Sequence, residues 1–428
     1  MVKLDITPIK ALIDVPRHIR VSGLIPRTEI TLMTRTQRGG GVYWRSQAVF
    51  VADNEGVVDT SCDAPVRGDY QGVDAMGLIF SQVPDSPQSN VFPDDVCQDI
   101  VTHIEVYHQE QCLARGELIQ ILMTPSIERI EVREEGLVGT LFKPKTSESC
   151  PAIIVLNGSG GGINEPRAAL YAAHGYIAFA LGYFKAPGLS DYISHTPLEY
   201  FVKGIDWLRT HYSPKDDFVA LSGQSRGGEL VLLLASLFPE KVSAVLAFVP
   251  GAVVHSAQNA ADPKLGREGY AWLLAGKPIP HVWENNKTAT WAPFDEGEPP
   301  HRHELAIRTA LLDEEAVARA RIRVEDCRCP LLFISAEDDG AWPSQWYSQM
   351  MMDTLAQHHY PYIYRWSDHA EAGHTIVFPY IPTTQVVHTH PVSKRLSTQG
   401  GNMYANAKAN QQAWADVVKF LSDCTNTC

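Results

Sequence analysis

Phe218-Val-Ala-Leu-Ser-Gly-Gln-Ser225-Arg-Gly-Gly-Glu-Leu-Val-Leu-Leu-Leu-Ala235 is the run that decides how this chain is read. An apolar strand, Phe218 to Leu221, enters Gly223-x-Ser225-x-Gly227, and an amphipathic helix rich in alanine and leucine follows. A strand, a sharp turn and a helix in that order are what a nucleophile elbow requires. The turn is tight enough to strain the serine backbone, and side chains at Gly223 and Gly227 would collide with the neighbouring strand and helix. Ser225 Oγ is then held clear of the sheet at a helix N-terminus, where backbone N–H groups and the helix dipole favour developing negative charge. The bare Gly-x-Ser-x-Gly pattern is common, so its context carries the reading.

A nucleophilic serine needs a base and a group that orients the base, and this kind of fold supplies them in the chain order Ser, Asp/Glu, His. Pro330-Leu-Leu-Phe-Ile-Ser335 reads as a buried parallel strand ending in Glu337-Asp338-Asp339-Gly340. Tyr362-Ile-Tyr-Arg-Trp366 reads as a further strand, and Ala372-Gly373-His374 follows in a loop. Each group falls at the C-terminal end of a strand, the edge where open α/β sheets gather their functional groups. Among sixteen histidines, His374 is favoured by its Ala-Gly-His setting over His369. Adjacent Asp338 and Asp339 are not separated by periodicity, whereas Glu337 reads as a solvated charge at the strand end.

Half of an oxyanion hole is expected after an earlier strand. Pro151-Ala-Ile-Ile-Val-Leu156 is that strand, followed by Asn157-Gly158-Ser159-Gly160-Gly161-Gly162. Glycines let the backbone approach a substrate carbonyl and present N–H groups to it. The alternatives are a flexible turn or a phosphate loop, but the lysine and hydroxyl of a P-loop and a spaced GxGxxG are missing. The N–H groups of Arg226 and of Ser159 or Gly160 are the expected hole.

Residues 1–124 read as β-rich, with runs such as Glu29–Met33, Ala48–Val51 and Glu105–Tyr107 set between turn signals, a spacing that suits a β-sandwich. Over 125–428 strands alternate with helices: Ala168–His174 helical, Ile177–Leu181 extended, Leu198–His211 helical, Val242–Val249 extended. That alternation predicts a mostly parallel sheet covered on both faces. The stretch from Gly251 to Pro300 is long and carries Trp272, Trp283 and Trp291. A loop of that length is either functional, here a lid or acyl-binding wall lined by aromatics, or a packed surface excursion. Gly182, Tyr183 and Phe184 border the pocket or pack beneath the loop.

At this point a resemblance emerges over nearly the whole chain. Val21-Ser-Gly-Leu-Ile-Pro26, Asp74-Ala-Met-Gly-Leu-Ile79, Gly139-Thr-Leu-Phe-Lys-Pro144, Glu165-Pro-Arg-Ala168, Leu198-Glu-Tyr-Phe201, Gly227-Gly-Glu-Leu230, Trp342-Pro-Ser344, Pro379-Tyr380, Gly400-Gly401 and Ala413-Trp414 occur in order. Together they resemble segments of the acyl-CoA thioesterase and bile acid-CoA:amino acid N-acyltransferase family. The resemblance implies an N-terminal immunoglobulin-like β-sandwich joined to an α/β-hydrolase domain. It also implies a triad of Ser225 nucleophile, Asp339 orienter and His374 base, and this alone selects the second aspartate. Thioesterase members of the family use serine and the bile-acid-conjugating enzyme uses cysteine, so Ser225 implies hydrolysis of an acyl-CoA thioester through an acyl-serine. An esterase resembling dienelactone hydrolases, or an acyl-CoA:amino acid N-acyltransferase, is the alternative. Arg226 departs from the lysine that family members often carry.

Composition agrees with a large enzyme: 428 residues, 45% hydrophobic, formal charge −13. The acidic balance argues against nucleic acid as partner. A CoA thioester would need a local cationic patch, for which Lys264, Arg267, Arg302 and Arg308 are candidates. The expected partner is a small acyl thioester or ester, with no cofactor and no metal. Eight cysteines in this length are not a disulfide framework, and Cys327-Arg-Cys329, Cys424-x-x-x-Cys428 and His301-Arg-His303 lack the second pair or the HExxH that zinc needs. No stretch suits a membrane span, a secretory signal or a Ser-Lys-Leu address, which makes the cytoplasm the expected location.

Overall fold

The computed structural model describes residues 1–87 and 89–426. Contacts divide the chain into two compact units. The first comprises Met1–Thr124 with Val377–Gln385 and Asn402–Gln412; the second comprises Pro125–Ile376, Val386–Gly401 and the chain from Ala413 onward.

Two sheets build the first unit. One holds Lys3–Thr7, His18–Ser22 and Val58–Asp59; the other is seven-stranded and centred on Glu29–Gln37, Tyr43–Val51, Ile100–His108 and Gln111–Ile121. Burial alternates along Glu29–Gln37, the period of a strand with one face inward. The two inner faces share one core: Ile6, Ile19 and Val21 from the first sheet lie with Ile30, Leu32, Phe50 and Ile104 from the second. The central strand runs four residues beyond the apolar Glu29–Met33 stretch because its buried threonines find partners across the sheet. Thr34 meets Ser46 at 2.6 Å and Thr36 meets Thr102 at 2.6 Å. The two later segments belong to this unit by the same bookkeeping: Gln120 Nε2 donates to Tyr380 O at 2.9 Å, Thr383 N donates to Phe80 O at 3.0 Å, and Ala407 joins the core. They carry no strand pattern, so a single division at residue 124 misses them.

The second unit is an eight-stranded sheet in the order Ile127–Val132, Val138–Pro144, Ile177–Gly182, Ala152–Leu156, Val219–Gln224, Ala244–Phe248, Leu331–Ala336 and Tyr364–His369. The pairings of the first three are antiparallel and the rest are parallel. Ala152–Leu156, Ile177–Gly182, Ala244–Phe248 and Leu331–Ala336 are buried along their whole length, which explains their unbroken apolar sequences. Helices Glu165–Ala173, Glu199–Tyr212, Arg226–Leu237 and Ser344–Gln357 connect strands of this sheet, the arrangement of an α/β-hydrolase. The last strand starts later than its apolar residues suggest and extends to His369, which pairs with Ala336.

The stretch from Gly251 to Pro300 is a packed excursion. Trp272–Leu274 pairs with Thr196–Pro197 and with Lys277–Pro278. Trp272, Trp283 and Trp291 are all buried in the core, the last two stacked with centroids 3.9 Å apart. Among the described residues no helix is long and apolar enough to cross a membrane.

Candidate active site

Local sequence makes the elbow. Ser225 stands at the start of helix Arg226–Leu237 with φ 59° and ψ −119°, a conformation a side chain adopts only under constraint. The constraint is close packing. A Cβ at Gly227 would lie 2.5 Å from Leu156 O, and one at Gly223 would collide with Gly227 O. Ser225 N donates to Phe248 O at 2.8 Å, which ties the turn to the next strand.

Five of the residues singled out from sequence converge on one cavity of about 320 Å³. Ser225 and His374 line it, together with Arg226, Ser159 and Gly160. His374 Nδ1 lies 2.8 Å from Asp339 Oδ2, so Nδ1 carries the proton and Nε2 is the basic nitrogen. Asp339 is itself fixed, since its Oδ1 accepts from Ala341 N at 2.9 Å and Trp342 N at 3.1 Å. Asp338 faces elsewhere: its carboxylate accepts from Arg302 Nη1 at 2.9 Å and Gly401 N at 2.8 Å. Glu337 is exposed. His369 is buried outside this cavity and bonds Ser367 Oγ at 3.1 Å. His374 N donates to Gln399 O at 2.8 Å, so the returning chain at 396–401 holds the histidine loop.

The glycine loop sorts its own N–H groups. Gly158 N donates to Asn157 Oδ1 at 3.0 Å, Gly161 N to Gly158 O at 3.1 Å and Gly162 N to Phe184 O at 2.9 Å. Ser159 N and Gly160 N are left without an acceptor among the described residues, as is Arg226 N in the first turn of its helix. Gly158 approaches the elbow so closely that a Cβ there would lie 3.8 Å from Ser225 Oγ. Tyr183 and Phe184 pack beneath this loop, Tyr183 donating its hydroxyl proton to Asn157 O at 2.7 Å.

Several side chains at the site carry no motif and were not legible in the sequence. The Arg226 guanidinium turns inward to Glu229, with an Nη1–Oε2 distance of 3.0 Å and both groups buried. Glu229 also accepts from His255 Nδ1 at 2.8 Å and Trp272 Nε1 at 2.9 Å. Burial pushes the Glu229 carboxyl up, but the Arg226 charge and the His255 and Trp272 hydrogen bonds outweigh it and hold the carboxyl below its ordinary value. His255 is held below its ordinary value by burial, against the pull of Glu229, and stacks on Trp342 at 4.8 Å. His303, His388 and His390 also line the cavity. Burial, with His255 next in effect, pushes His303 down to about 3; burial, with His388 next, pushes His390 down to about 3. His390 Nδ1 accepts from Val392 N and Ser393 N at 3.2 Å each, which leaves its Nε2–H to donate to Ser159 Oγ at 2.9 Å.

The cationic patch expected from Lys264, Arg267, Arg302 and Arg308 is not assembled. Arg267 pairs with Asp295 and Arg302 with Asp338 and Glu304, and Arg308 pairs with Glu304. Exposed Lys264 forms no ion pair among the described residues. Lys185 and Lys394 instead converge on Pro391 O, at 2.7 and 2.8 Å, and neither forms an ion pair among the described residues. Pro391 is part of the cavity wall.

Among the described residues no group of three or more His, Cys, Asp or Glu side chains is placed to hold a metal ion. Cys327 and Cys329 are buried free thiols, and burial pushes Cys329 up to about 12; Cys428 lies outside the described residues.

Two family profiles match this chain. "Acyl-CoA thioester hydrolase/BAAT N-terminal region" covers residues 14–134, and "BAAT / Acyl-CoA thioester hydrolase C terminal" covers residues 196–427. The chain belongs to the acyl-CoA thioester hydrolase/BAAT family. Relatives include acyl-coenzyme A thioesterase 6 of Mus musculus, 29% identical over 96% of this chain and 94% of that protein. The Homo sapiens protein of the same name is 28% identical over 95% and 93%. The peroxisomal succinyl-coenzyme A thioesterase of Mus musculus is 27% identical over 95% and 93%.

Proposed function

We propose that the protein is a serine hydrolase that cleaves acyl-CoA thioesters to free acid and CoA. The observation that carries this reading is the convergence of Ser225, the Asp339-held His374 and three unpaired backbone N–H groups on one cavity. His374 Nε2 takes the proton of Ser225 Oγ as the oxygen attacks the thioester carbonyl. Asp339 keeps the imidazole in that tautomer and stabilises its cationic form. The oxyanion is received by Arg226 N and by Ser159 N or Gly160 N, each contact contributing about 3–4 kcal/mol in the transition state. The carbon–sulfur bond then breaks, and the leaving thiolate takes the proton from His374. His374 next removes a proton from water, which attacks the acyl-serine; the acyl carbon–Oγ bond breaks, His374 returns the proton to Ser225 Oγ, and the acid is released. An oxygen ester is hydrolysed more readily, relative to attack by an amine, than a thioester adduct on cysteine would be, which favours hydrolysis over transfer.

Lys185 and Lys394 are the groups best disposed to attract CoA phosphates, being two unpaired ammonium groups beside the cavity wall. Lys185→Glu with Lys394→Glu is expected to raise KM for an acyl-CoA about tenfold or more. KM for the p-nitrophenyl ester of the same acid stays within about twofold, and the acyl-CoA KM rises with salt in the wild type. Equal effects on both substrates would remove the pair from CoA recognition.

The hydrolytic reading is tested by supplying an acyl-CoA with and without glycine or taurine and separating the products. Free acid in both mixtures is expected; amide as the main product would make the protein a transferase. Cytoplasmic location is the companion expectation, and fractionation of the producing cells checks it.

A further inference from the structure

The hairpin formed by Val387–Thr389 and Leu396–Thr398 brings His390 onto the glycine loop. His390 opens the turn of that hairpin and is fixed by the backbone at both ends. Its N donates to Arg395 O at 2.9 Å, and its O accepts from Lys394 N at 3.0 Å. The next residue, Pro391, lies against the loop, since a Cβ at Gly160 would be 3.2 Å from the Pro391 Cγ. The imidazole of His390, which is only 8% exposed, meets Ser159 Oγ at 2.9 Å. The same returning chain holds His374 through Gln399 O, so the base and the glycine loop share one support.

A serine beside a histidine invites the reading of a second nucleophile with its own base. The other ring nitrogen rules it out. His390 Nδ1 receives Val392 N and Ser393 N at 3.2 Å each, and two N–H donors fix it as an acceptor. A neutral imidazole carries its one proton on the remaining nitrogen, so Nε2–H donates and Ser159 Oγ accepts. His390 therefore turns no lone pair toward the serine and has nothing with which to take its proton.

That direction of donation sets the hydroxyl. With His390 on one lone pair of Oγ, the Ser159 proton points away from the imidazole and is available to a further acceptor. Ser159 is half-buried and lines the cavity that Ser225 and His374 share. Its neighbour Gly158 is packed against the elbow: a Cβ there would lie 3.3 Å from Ser225 Cβ. Ser159 N is already one of the N–H groups without an acceptor among the described residues. A serine has a single side-chain torsion, which keeps Oγ close to its own nitrogen, so the N–H and the hydroxyl of one serine can meet the same oxygen.

We propose that Ser159 is a further catalytic residue, whose hydroxyl donates to the oxyanion beside the backbone N–H groups, and that His390 is the positioning residue that orients it. This rests on the reading of Ser225 as the acyl-accepting residue and adds a side-chain donor to the oxyanion hole. No proton is transferred: the hydroxyl keeps its hydrogen while the substrate oxygen gains and then loses negative charge. A donor held in place before the charge develops costs no reorganisation during the reaction. Without His390 the hydroxyl would turn among its rotamers and lose that advantage.

The test measures kcat and KM of Ser159→Ala, Ser159→Thr and Ser225→Ala on an acyl-CoA and on the p-nitrophenyl ester of the same acid. Ser159→Ala is expected to lose about 10²- to 10³-fold in kcat on both substrates, the size of one oxyanion donor, with KM within about threefold. Ser159→Thr keeps the hydroxyl and is expected to stay within about tenfold of wild type. His390→Phe keeps a ring and removes both nitrogens. It is expected to lower kcat about tenfold in the wild type but less than about twofold in Ser159→Ala, where no hydroxyl is left to orient. A Ser159→Ala kcat within about threefold of wild type, or a loss confined to KM, overturns the catalytic role. An equal loss from His390→Phe in both backgrounds overturns the positioning role. With Ser225→Ala inactive, either result leaves hydrolysis through Ser225 intact. A Ser225→Ala protein that turns over like wild type would instead remove the nucleophile reading beneath the proposal.

Discussion

Ser225→Ala is expected to lower turnover by about 10⁴- to 10⁶-fold while the protein stays folded. The size follows from the triad acting as a unit: without the hydroxyl, His374 has no proton to take and no acyl-enzyme forms. Stability is expected to hold because alanine keeps the Cβ, so the strained φ of 59° is no harder to occupy. The Asp339–His374 bond at 2.8 Å does not involve the serine, and neither do the backbone bonds that tie down the elbow. Turnover of an acyl-CoA, measured beside a thermal melt, checks both halves. Activity above about a tenth of wild type would take Ser225 out of the mechanism.

Asp339→Asn is expected to cost about 10⁴-fold in kcat, and Asp338→Asn less than about tenfold. An asparagine at 339 keeps an oxygen for Ala341 N and Trp342 N but turns an NH₂ group toward His374 Nδ1. The imidazole must then accept at Nδ1 and carry its proton on Nε2, the wrong tautomer for a base. At 338 the loss is a partly exposed pairing with Arg302, of a kind worth about 0–1 kcal/mol. Steady-state kinetics of the two variants decides between the neighbours, and the opposite order would move the orienting role one residue back.

That pair also marks where sequence reading stops. Two aspartates in one turn have the same composition, periodicity and edge position, and only the surrounding N–H groups differ. Asp339 Oδ1 meets Ala341 and Trp342, while Asp338 meets Arg302 and Gly401, residues from separate parts of the chain. The elbow was legible because its constraint is local: Gly223 and Gly227 are required by backbone contacts within a few residues or to the adjoining strand. The sheet was legible because strands buried on both faces must be apolar throughout. By contrast, Ser159 and His390 meet across more than two hundred positions of sequence, as do Lys185 and Lys394. Single tryptophans in a glycine- and proline-rich stretch mark a lid and a packed excursion equally well; the stacking of Trp283 on Trp291 inside the core is a tertiary event.

The central claim is that acyl groups pass through Ser225 on their way to water. Wild-type protein and Ser225→Ala are mixed with an acyl-CoA, quenched with acid within the first turnover and digested for mass spectrometry. The account predicts the acyl mass on the Ser225 peptide of the wild type, its decay in step with free acid, and no adduct in the variant. Hydrolysis that proceeds with Ser225 unmodified, or an acyl adduct on another residue that turns over in Ser225→Ala, would contradict it.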